Sequence, residues 1–574
     1  MKIQLAQHSG FCFGVRNAIL RIVNELNNND ETIFVYGPLI HNPQTVNILH
    51  RRGLQTIHDL SGIKGKQVAV RTHGIPIEDN RYLKSEATRC INLTCPRVAN
   101  VQSLIKKYSR QGHYTIILGD SDHAEVIGLK SYASAGVTII ASATEAAEIP
   151  PAEKYLLVSQ TTFDRDLFEK IIPILQKSLK NLTVMDTICD STRHRQDDVR
   201  KAIEEKFDTL IVVGGKNSAN TSRLAGIGRE NGLLTFHVET EKELQWKDFT
   251  DSKSVLVTAG ASTPGWIINN VLEKLYDIKF RNSNFFIKHI KNVIELITRT
   301  NIISSLFAFM LTLFIQSAIT AKHGLTYPVV SMLYIFSMYS FNNYFDRAFL
   351  RESNSYKYGI YKKYGKALIF FSLVSIPMSF YLMRSSGLDQ IILLLFSYIF
   401  GFSYFTSPVK RIMNSLSFPL ARKVYNSKII TGLGWLIVTT LLPLINTHVP
   451  WTSILFISLF TITMITVRHI LIDIIAFQGD FIMGRDTIPI WLGIDAAKYI
   501  THTLTALTSL MCIIHVVLEG QFLFLLMILP LLYYSVLINR LVKIRYLITL
   551  RYEFIIDANF FLSIAIFLAT IIIS

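Results

Sequence analysis

The feature that most constrains this chain is a series of long apolar segments that begins near Asn301 and runs to Ser574 with few charges between them. Apolar segments recur at 302–320, 327–341, 367–382, 391–405, 429–446, 454–475, 501–517, 522–538 and 558–574; several are shorter than the roughly 20 residues a helix needs to cross a bilayer, and polar flanks or local thinning can make up the shortfall. An all-α, polytopic membrane domain of about nine helices is therefore expected over 301–574. The charges agree. Residues 283–574 hold 23 Lys+Arg against 11 Asp+Glu, whereas residues 1–282 hold 35 against 31. If the first half lies inside, the loops 342–366, 406–428, 476–498 and 539–552 are inside too, and they carry 17 Lys+Arg. The opposite loops carry only Lys322 and Arg384, which is the positive-inside pattern. The basic excess is thus topological, and no nucleic-acid partner is expected. Between the halves, 283–300 is basic and rich in Phe and Ile, suiting either an interfacial helix or a plain linker.

The first half, 1–282, reads differently. Apolar β-branched runs, each followed by a small or polar loop and a helical stretch, recur as VAVRTHG, TIILGDSDHAE, YLLVSQTT, TLIVVGGKNSAN and SVLVTAGAST. Continuous apolar strands alternating with helices imply α/β layers with parallel sheets. Ligands of such sheets gather beyond the carboxyl ends of the strands. Those ends carry His41, His73, His123, Glu125, Thr161, Thr162, Ser218, Asn220, Ser262 and Thr263, a set of donors suited to a phosphate or diphosphate.

Five cysteines, Cys12, Cys90, Cys95, Cys189 and Cys512, are too few and too dispersed for a disulfide scaffold, and no leader-like stretch precedes the first strand, so a reducing, cytoplasmic setting is expected. Cys12, Cys95 and Cys189 each precede an amphipathic stretch, and Ser191 or Thr192 is expected to cap the third helix. Helix-start amides and the helix dipole favour thiolate there. The spacing suggests three similar lobes, each giving one thiol to a central metal site. Zinc, a four-iron cluster with one iron left open for substrate, and three buried core cysteines are the readings this spacing allows.

The motifs GFCFGVRNAI, YGPLIHNPQTV, VRTHGIP, NLTCPRVANVQ, GDSDHAEVIG, VSQTTF, DTICDSTRHRQ, GGKNSANTSRL and TAGASTPGW, in this order, resemble the LytB-type 4-hydroxy-3-methylbut-2-enyl diphosphate reductases over about residues 1–278. The resemblance implies a trilobed α/β fold of three similar parallel-sheet lobes around a [4Fe-4S] cluster on Cys12, Cys95 and Cys189. It also implies a diphosphate held by His41, His73, His123, Ser218, Asn220 and Ser262, with Thr161 near the allylic alcohol and Glu125 delivering protons. Protonated histidines would add charge. Ala219 departs from the family's usual Ser. The implied products are isopentenyl and dimethylallyl diphosphate. Electrons would come from a ferredoxin or flavodoxin, since no GxGxxG fingerprint is present.

In the second half, NNYFDRAFL, SYFTSPVKR with Lys410 and Arg411, and DIIAFQGDFIMGRDTIPIWLG resemble the UbiA-type intramembrane prenyltransferases. That resemblance implies Mg2+ and an isoprenyl diphosphate bound near Asn342, Asp346, Asp473 and Asp480, and transfer of the prenyl group to a lipid-soluble acceptor. Asn343, Leu350 and Ala476 stand where the family pattern has acids. The expected whole is a bifunctional isoprenoid enzyme of the cell inner membrane, multi-pass, with its first domain in the cytoplasm. The alternative is an active reductase on a catalytically silent UbiA-like anchor.

Overall fold

The computed structural model describes residues 1–29, 31–281, 284–320, 324–405, 429–485, 487–520, 522–543 and 549–573. The chain divides into two compact units, Met1–Lys279 with Ile482–Gly484, and Phe280–Phe481 with Arg485–Ser574.

The first unit holds twelve strands, numbered in chain order: β1 Lys2–Leu5, β2 Ile33–Tyr36, β3 Leu54–Ile57, β4 Gln67–Val70, β5 Arg89–Asn92, β6 Tyr114–Leu118, β7 Val137–Ile140, β8 Tyr155–Ser159, β9 Leu182–Val184, β10 Thr209–Val213, β11 Leu234–Val238 and β12 Ser254–Ala259. They form three four-stranded sheets, ordered β3-β2-β4-β5, β7-β6-β8-β9 and β1-β12-β10-β11, with every pairing parallel. Central strands such as YLLVS and TLIVV are buried throughout, because helices cover both faces. In the β6–β9 sheet, for example, Ile116, Leu118 and Leu157 pack on one side and Ile117, Leu156 and Val158 on the other.

The three sheets share one winding. In the two contiguous sheets the first strand is central, the second is its outer neighbour, the third pairs on its other side and the fourth is the far edge. The last sheet repeats this with β10, β11 and β12, and its fourth place is taken by β1 from the start of the chain. One lobe is therefore assembled from both ends of the unit, where the cysteine spacing had suggested three consecutive blocks.

In the second unit all nine apolar segments are largely helical among the described residues. Five helical stretches are long and apolar enough to cross a membrane, Ser355–Leu382, Trp451–Ile482, Ile494–Glu519, Phe524–Val542 and Leu550–Ala569. A sixth is added if Phe285–Arg299 and Ile302–Ser317, bent by 71° at their junction, count as one. Against the expected nine spans, five or six helices among the described residues qualify by length and hydropathy. Leu388–Phe402 and Thr431–Leu444 are short, and Thr326–Phe345 is diluted by serine, asparagine and tyrosine. Thr431–Leu444 also contains a π segment, Ile437–Leu441, just before Pro443, whose missing N–H breaks the regular ladder.

One buried charged group in this unit is fully paired, as a low-dielectric setting favours. Arg468 Nε donates to Asp557 Oδ1 at 2.8 Å, and Ser304 Oγ, which accepts from Arg468 Nη2 at 2.8 Å, donates to Asp557 Oδ2 at 2.9 Å. All three side chains are buried. Replacing Arg468 by Met leaves the Asp557 carboxylate without its cation and is expected to cost about 3–5 kcal/mol. A thermal-unfolding series on detergent-solubilised protein checks it, and an unchanged midpoint would contradict the pairing.

Candidate functional site

The equivalence of the sheets organises the site. The fourth strand of each sheet leads to a cysteine: β5 to Cys95, β9 to Cys189, and β1 to Cys12. Each cysteine is the N-cap of the next helix, Phe13–Asn28, Pro96–Arg110 and Asp190–Glu204, so the third cap is Cys189 itself, where Ser191 or Thr192 was expected. Each cysteine N–H donates to a carbonyl just past the third strand of its own sheet: Cys95 to Thr72 at 2.9 Å, Cys189 to Thr161 at 2.9 Å and Cys12 to Ala261 at 3.0 Å. All three thiols are unpaired and half-buried, and Cys12 and Cys189 both lie within electrostatic reach of Cys95. Gly14 matters here, because a Cβ at that position would run into the Cys95 sulfur. For Cys95 and Cys189, burial runs against the expected thiolate. Burial pushes Cys95 up to about 11 and raises Cys189 too, outweighing the lowering by helix-start amides. A cationic group bound at the three sulfurs would reverse that balance.

The first and third strands of the sheets carry the polar residues. His41 follows β2, His123 follows β6, and Ser218 and Asn220 follow β10; His73 follows β4, Thr161 follows β8 and Ser262 follows β12. The imidazoles converge: ring centroids are 4.6 Å apart for His41 and His73, 5.7 Å for His73 and His123, and 6.0 Å for His41 and His123. His123 Nδ1 accepts from Glu125 N at 3.2 Å, which leaves Nε2 as the protonated nitrogen of the neutral ring. The loop with Ser218 and Asn220 abuts the His41 loop, since a Cβ on Gly215 would come 2.6 Å from the His41 carbonyl oxygen. Asn220 is buried with neither amide atom hydrogen-bonded, and His41 Nε2 is in the same condition. Buried polar atoms left unsatisfied are rare, and a cluster of them facing one another fits a polar ligand.

Burial opposes the protonated histidines as well. Burial first, then His123 and Arg71, push His41 down to about 4. Burial and the same neighbours lower His73, and burial and Arg71 lower His123. Burial thus works against charge on all three rings, which as neutral imidazoles still offer donors.

Glu125 and Thr161 are brought together. Thr161 donates to the Glu125 carboxylate twice, from its N–H at 2.7 Å and from Oγ1 at 2.9 Å, and both residues are buried. Burial raises Glu125 to about 7 despite those two bonds, which place it where a proton donor is effective at neutral pH. Two of the suggested donors prove structural: Thr263 Oγ1 donates to the Val213 carbonyl at 2.9 Å, and Thr162 Oγ1 accepts from Gln160 Nε2 at 2.8 Å.

In the helical unit, Asn342 and Asp346 lie at the end of Thr326–Phe345, and Asp473 and Asp480 lie two turns apart on Trp451–Ile482, both buried. Asp346 is ion-paired with Arg485 at 2.7 Å, and Arg485 sits 3.4 Å from the Phe349 ring centroid. Asn343 donates to Tyr361 Oη at 3.1 Å. Lys410, Arg411 and Asp486 lie outside the described residues. No group of three His, Cys, Asp or Glu among the described residues stands close enough to hold a single metal ion.

A family model for the LytB protein matches residues 3–276. The 4-hydroxy-3-methylbut-2-enyl diphosphate reductase of Caldanaerobacter subterraneus subsp. tengcongensis is 36% identical over 288 residues, 50% of this chain and 100% of that protein. The chain belongs to the LytB family. The Campylobacter hominis reductase is 39% identical over 277 residues, 48% of this chain and 98% of its own. A solved LytB-type reductase, the terminal enzyme of the non-mevalonate pathway, shares 34% identity and spans 48% of this chain and 100% of its own, with a TM-score of 0.39. A UbiA homolog from Archaeoglobus fulgidus, solved with GPP and Mg2+, shares 15% identity over 48% of this chain and 99% of its own, with a TM-score of 0.34.

Two arginines of the LytB unit carry weight that the sequence analysis did not give them. Arg195, 2% exposed, donates to the carbonyls of Ala259 at 3.2 Å, Ser191 at 2.7 Å and Gly10. It thereby ties the loop before Cys12 to the helix after Cys189. Its signal in the sequence was a basic residue on the buried stripe Thr192, Arg195, Gln196, Val199. Arg71, two residues before His73, acts electrostatically on all three histidines of the LytB site.

Proposed function

We propose that the LytB unit removes the allylic hydroxyl of 4-hydroxy-3-methylbut-2-enyl diphosphate, giving isopentenyl and dimethylallyl diphosphate. The observation that carries this reading is the equivalent placement of Cys12, Cys95 and Cys189, one per sheet, beside a pocket of unsatisfied polar atoms. Those thiols would hold the [4Fe-4S] cluster. Zinc suits them less, because zinc sites usually draw on paired ligands such as CxxC, and none of these three cysteines has such a neighbour in the sequence. When bound, the cluster supplies one-electron transfers and an iron able to polarise the substrate oxygen.

The chain's own residues do the rest. His41, His73 and His123, with Ser218, Asn220 and Ser262, hydrogen-bond the diphosphate, assisted by the helix start at Ala219. Thr161 orients the hydroxyl, and Glu125 behind it supplies a proton. In balance, one C–O bond breaks, two electrons enter, one proton leaves with the hydroxyl as water and one goes to the allylic carbon. The electrons come from a one-electron carrier, a ferredoxin or flavodoxin.

For the helical unit we infer transfer of a prenyl group from an allylic diphosphate to a lipid-soluble acceptor in the inner membrane, with the LytB unit on the cytoplasmic side. The motif resemblance and the basic inside loops support this. Magnesium, expected from the resemblance, does not fit the described donors: Asp346 is engaged by Arg485, Asn343 by Tyr361, and no three carboxylates meet. No step is routed through it, and Arg485 is the cation paired with Asp346 of the first motif. The same pairings favour the second reading, a silent anchor. Membranes holding the full chain, given labelled dimethylallyl, geranyl and farnesyl diphosphates with Mg2+ or with EDTA, separate the readings. Labelled lipid that disappears in the Asp473→Asn variant supports transfer, and none from any donor supports the anchor.

A further inference from the structure

The diphosphate pocket poses a charge problem. A diphosphate carries about three negative charges at neutral pH, yet the three imidazoles facing it are buried against one another at 4.6–6.0 Å. Neutral donors alone bind such an anion weakly in a desolvated site. A fixed cation stands next to them. Arg71 ends the β4 run and leads directly into His73. Its Nε donates to the Gly74 carbonyl at 3.2 Å, and its guanidinium packs on Gly37 in the loop that leads to His41. Gly37 has φ +74 and lacks the Cβ that would strike the guanidinium, so the β2 loop is shaped around this side chain. The arginine is thus lodged between the loops carrying His41 and His73. Asp79 and Tyr36 lie within its electrostatic reach, and no carboxylate stands within ion-pair distance of it among the described residues.

We propose that Arg71 is a further binding residue of this site, a permanent positive charge lodged beside the His41, His73 and His123 trio. The inference rests on the diphosphate reading above. It makes Arg71 responsible for preference by ligand charge, so that pyrophosphate depends on it more than orthophosphate does.

The test is titration of inorganic pyrophosphate and of orthophosphate into anaerobically purified, cluster-loaded full-length protein. Arg71→Gln is expected to weaken pyrophosphate roughly 10- to 100-fold and orthophosphate less. Arg71→Lys, which keeps the charge, is expected to stay within about threefold of the native protein. Visible absorbance reports whether each variant keeps its cluster and fold. Equal weakening by Gln and Lys would show that the guanidinium only props the loops and would overturn the proposal. So would native affinity in Arg71→Gln. Failure of the native protein to bind pyrophosphate would overturn the diphosphate reading together with it.

Discussion

Replacing Cys95 by Ser is expected to give a folded, colourless protein whose reductase turnover falls at least about 100-fold, the scale on which losing even an outer-shell partner reduces metal affinity. The thiol is one of three equivalent sulfurs, each set at a helix start by a backbone bond to the neighbouring strand end. A serine hydroxyl can occupy the same N-cap, so the helix Pro96–Arg110 keeps its start and the fold survives. What is lost is a soft, deprotonatable ligand, and burial that already raises the Cys95 thiol to about 11 disfavours a serine alkoxide far more. Iron and sulfide content and visible absorbance, measured anaerobically beside turnover with a viologen donor, check the expectation. Full turnover in Cys95→Ser would remove the basis for a three-thiolate site. Gly14→Val tests the same sulfur from outside, because its side chain would press on the Cys95 thiol while leaving all three ligands present.

The sheets were legible because they are wound in the simplest way. Runs such as TIIL and LIVV are buried on both faces, so they carry no alternation and stand out as uninterrupted β-branched stretches. The residues at their ends could then be named. The closure of the last lobe by β1 was not legible, because pairing Lys2–Leu5 with Ser254–Val257 leaves no local pattern at either end. Side-chain states were misread for one shared reason: sequence shows a helix start or a histidine but not how deeply it is buried. Burial works against both expectations, raising Cys95 and Cys189 and lowering His41, His73 and His123. In the helical unit hydropathy located most apolar helices among the described residues, though it placed the start of Leu550–Ala569 in a loop, and the partners of its polar residues are set by packing. Arg485 lies 139 residues from Asp346, and Asp557 lies 89 from Arg468.

Glu125→Gln is expected to lower kcat about 100- to 10,000-fold with little change in KM, the size of effect a positioned acid supplies. The amide keeps the shape and can still accept from Thr161, so the substrate's diphosphate is held as before. It cannot give up a proton. The pH dependence of the native enzyme carries the same information. With Glu125 near 7, the protonated form dominates below neutrality, so kcat should fall as pH rises through about 7, and the residual rate of Glu125→Gln should show no such fall. Stability moves with it. A carboxyl raised from 4.5 to about 7 on folding gives a contribution fully present below pH 4.5 and lost as pH climbs to about 7. That loss is on the order of 3 kcal/mol for this buried group. Chemical denaturation of the native protein and Glu125→Gln at pH 5 and pH 8 should therefore show the native protein losing more stability across the interval. A kcat that is level from pH 6 to 8 in the native enzyme, together with equal stability changes in the two proteins, would place the reaction's proton on another group and leave Glu125 as a buried partner that fixes Thr161.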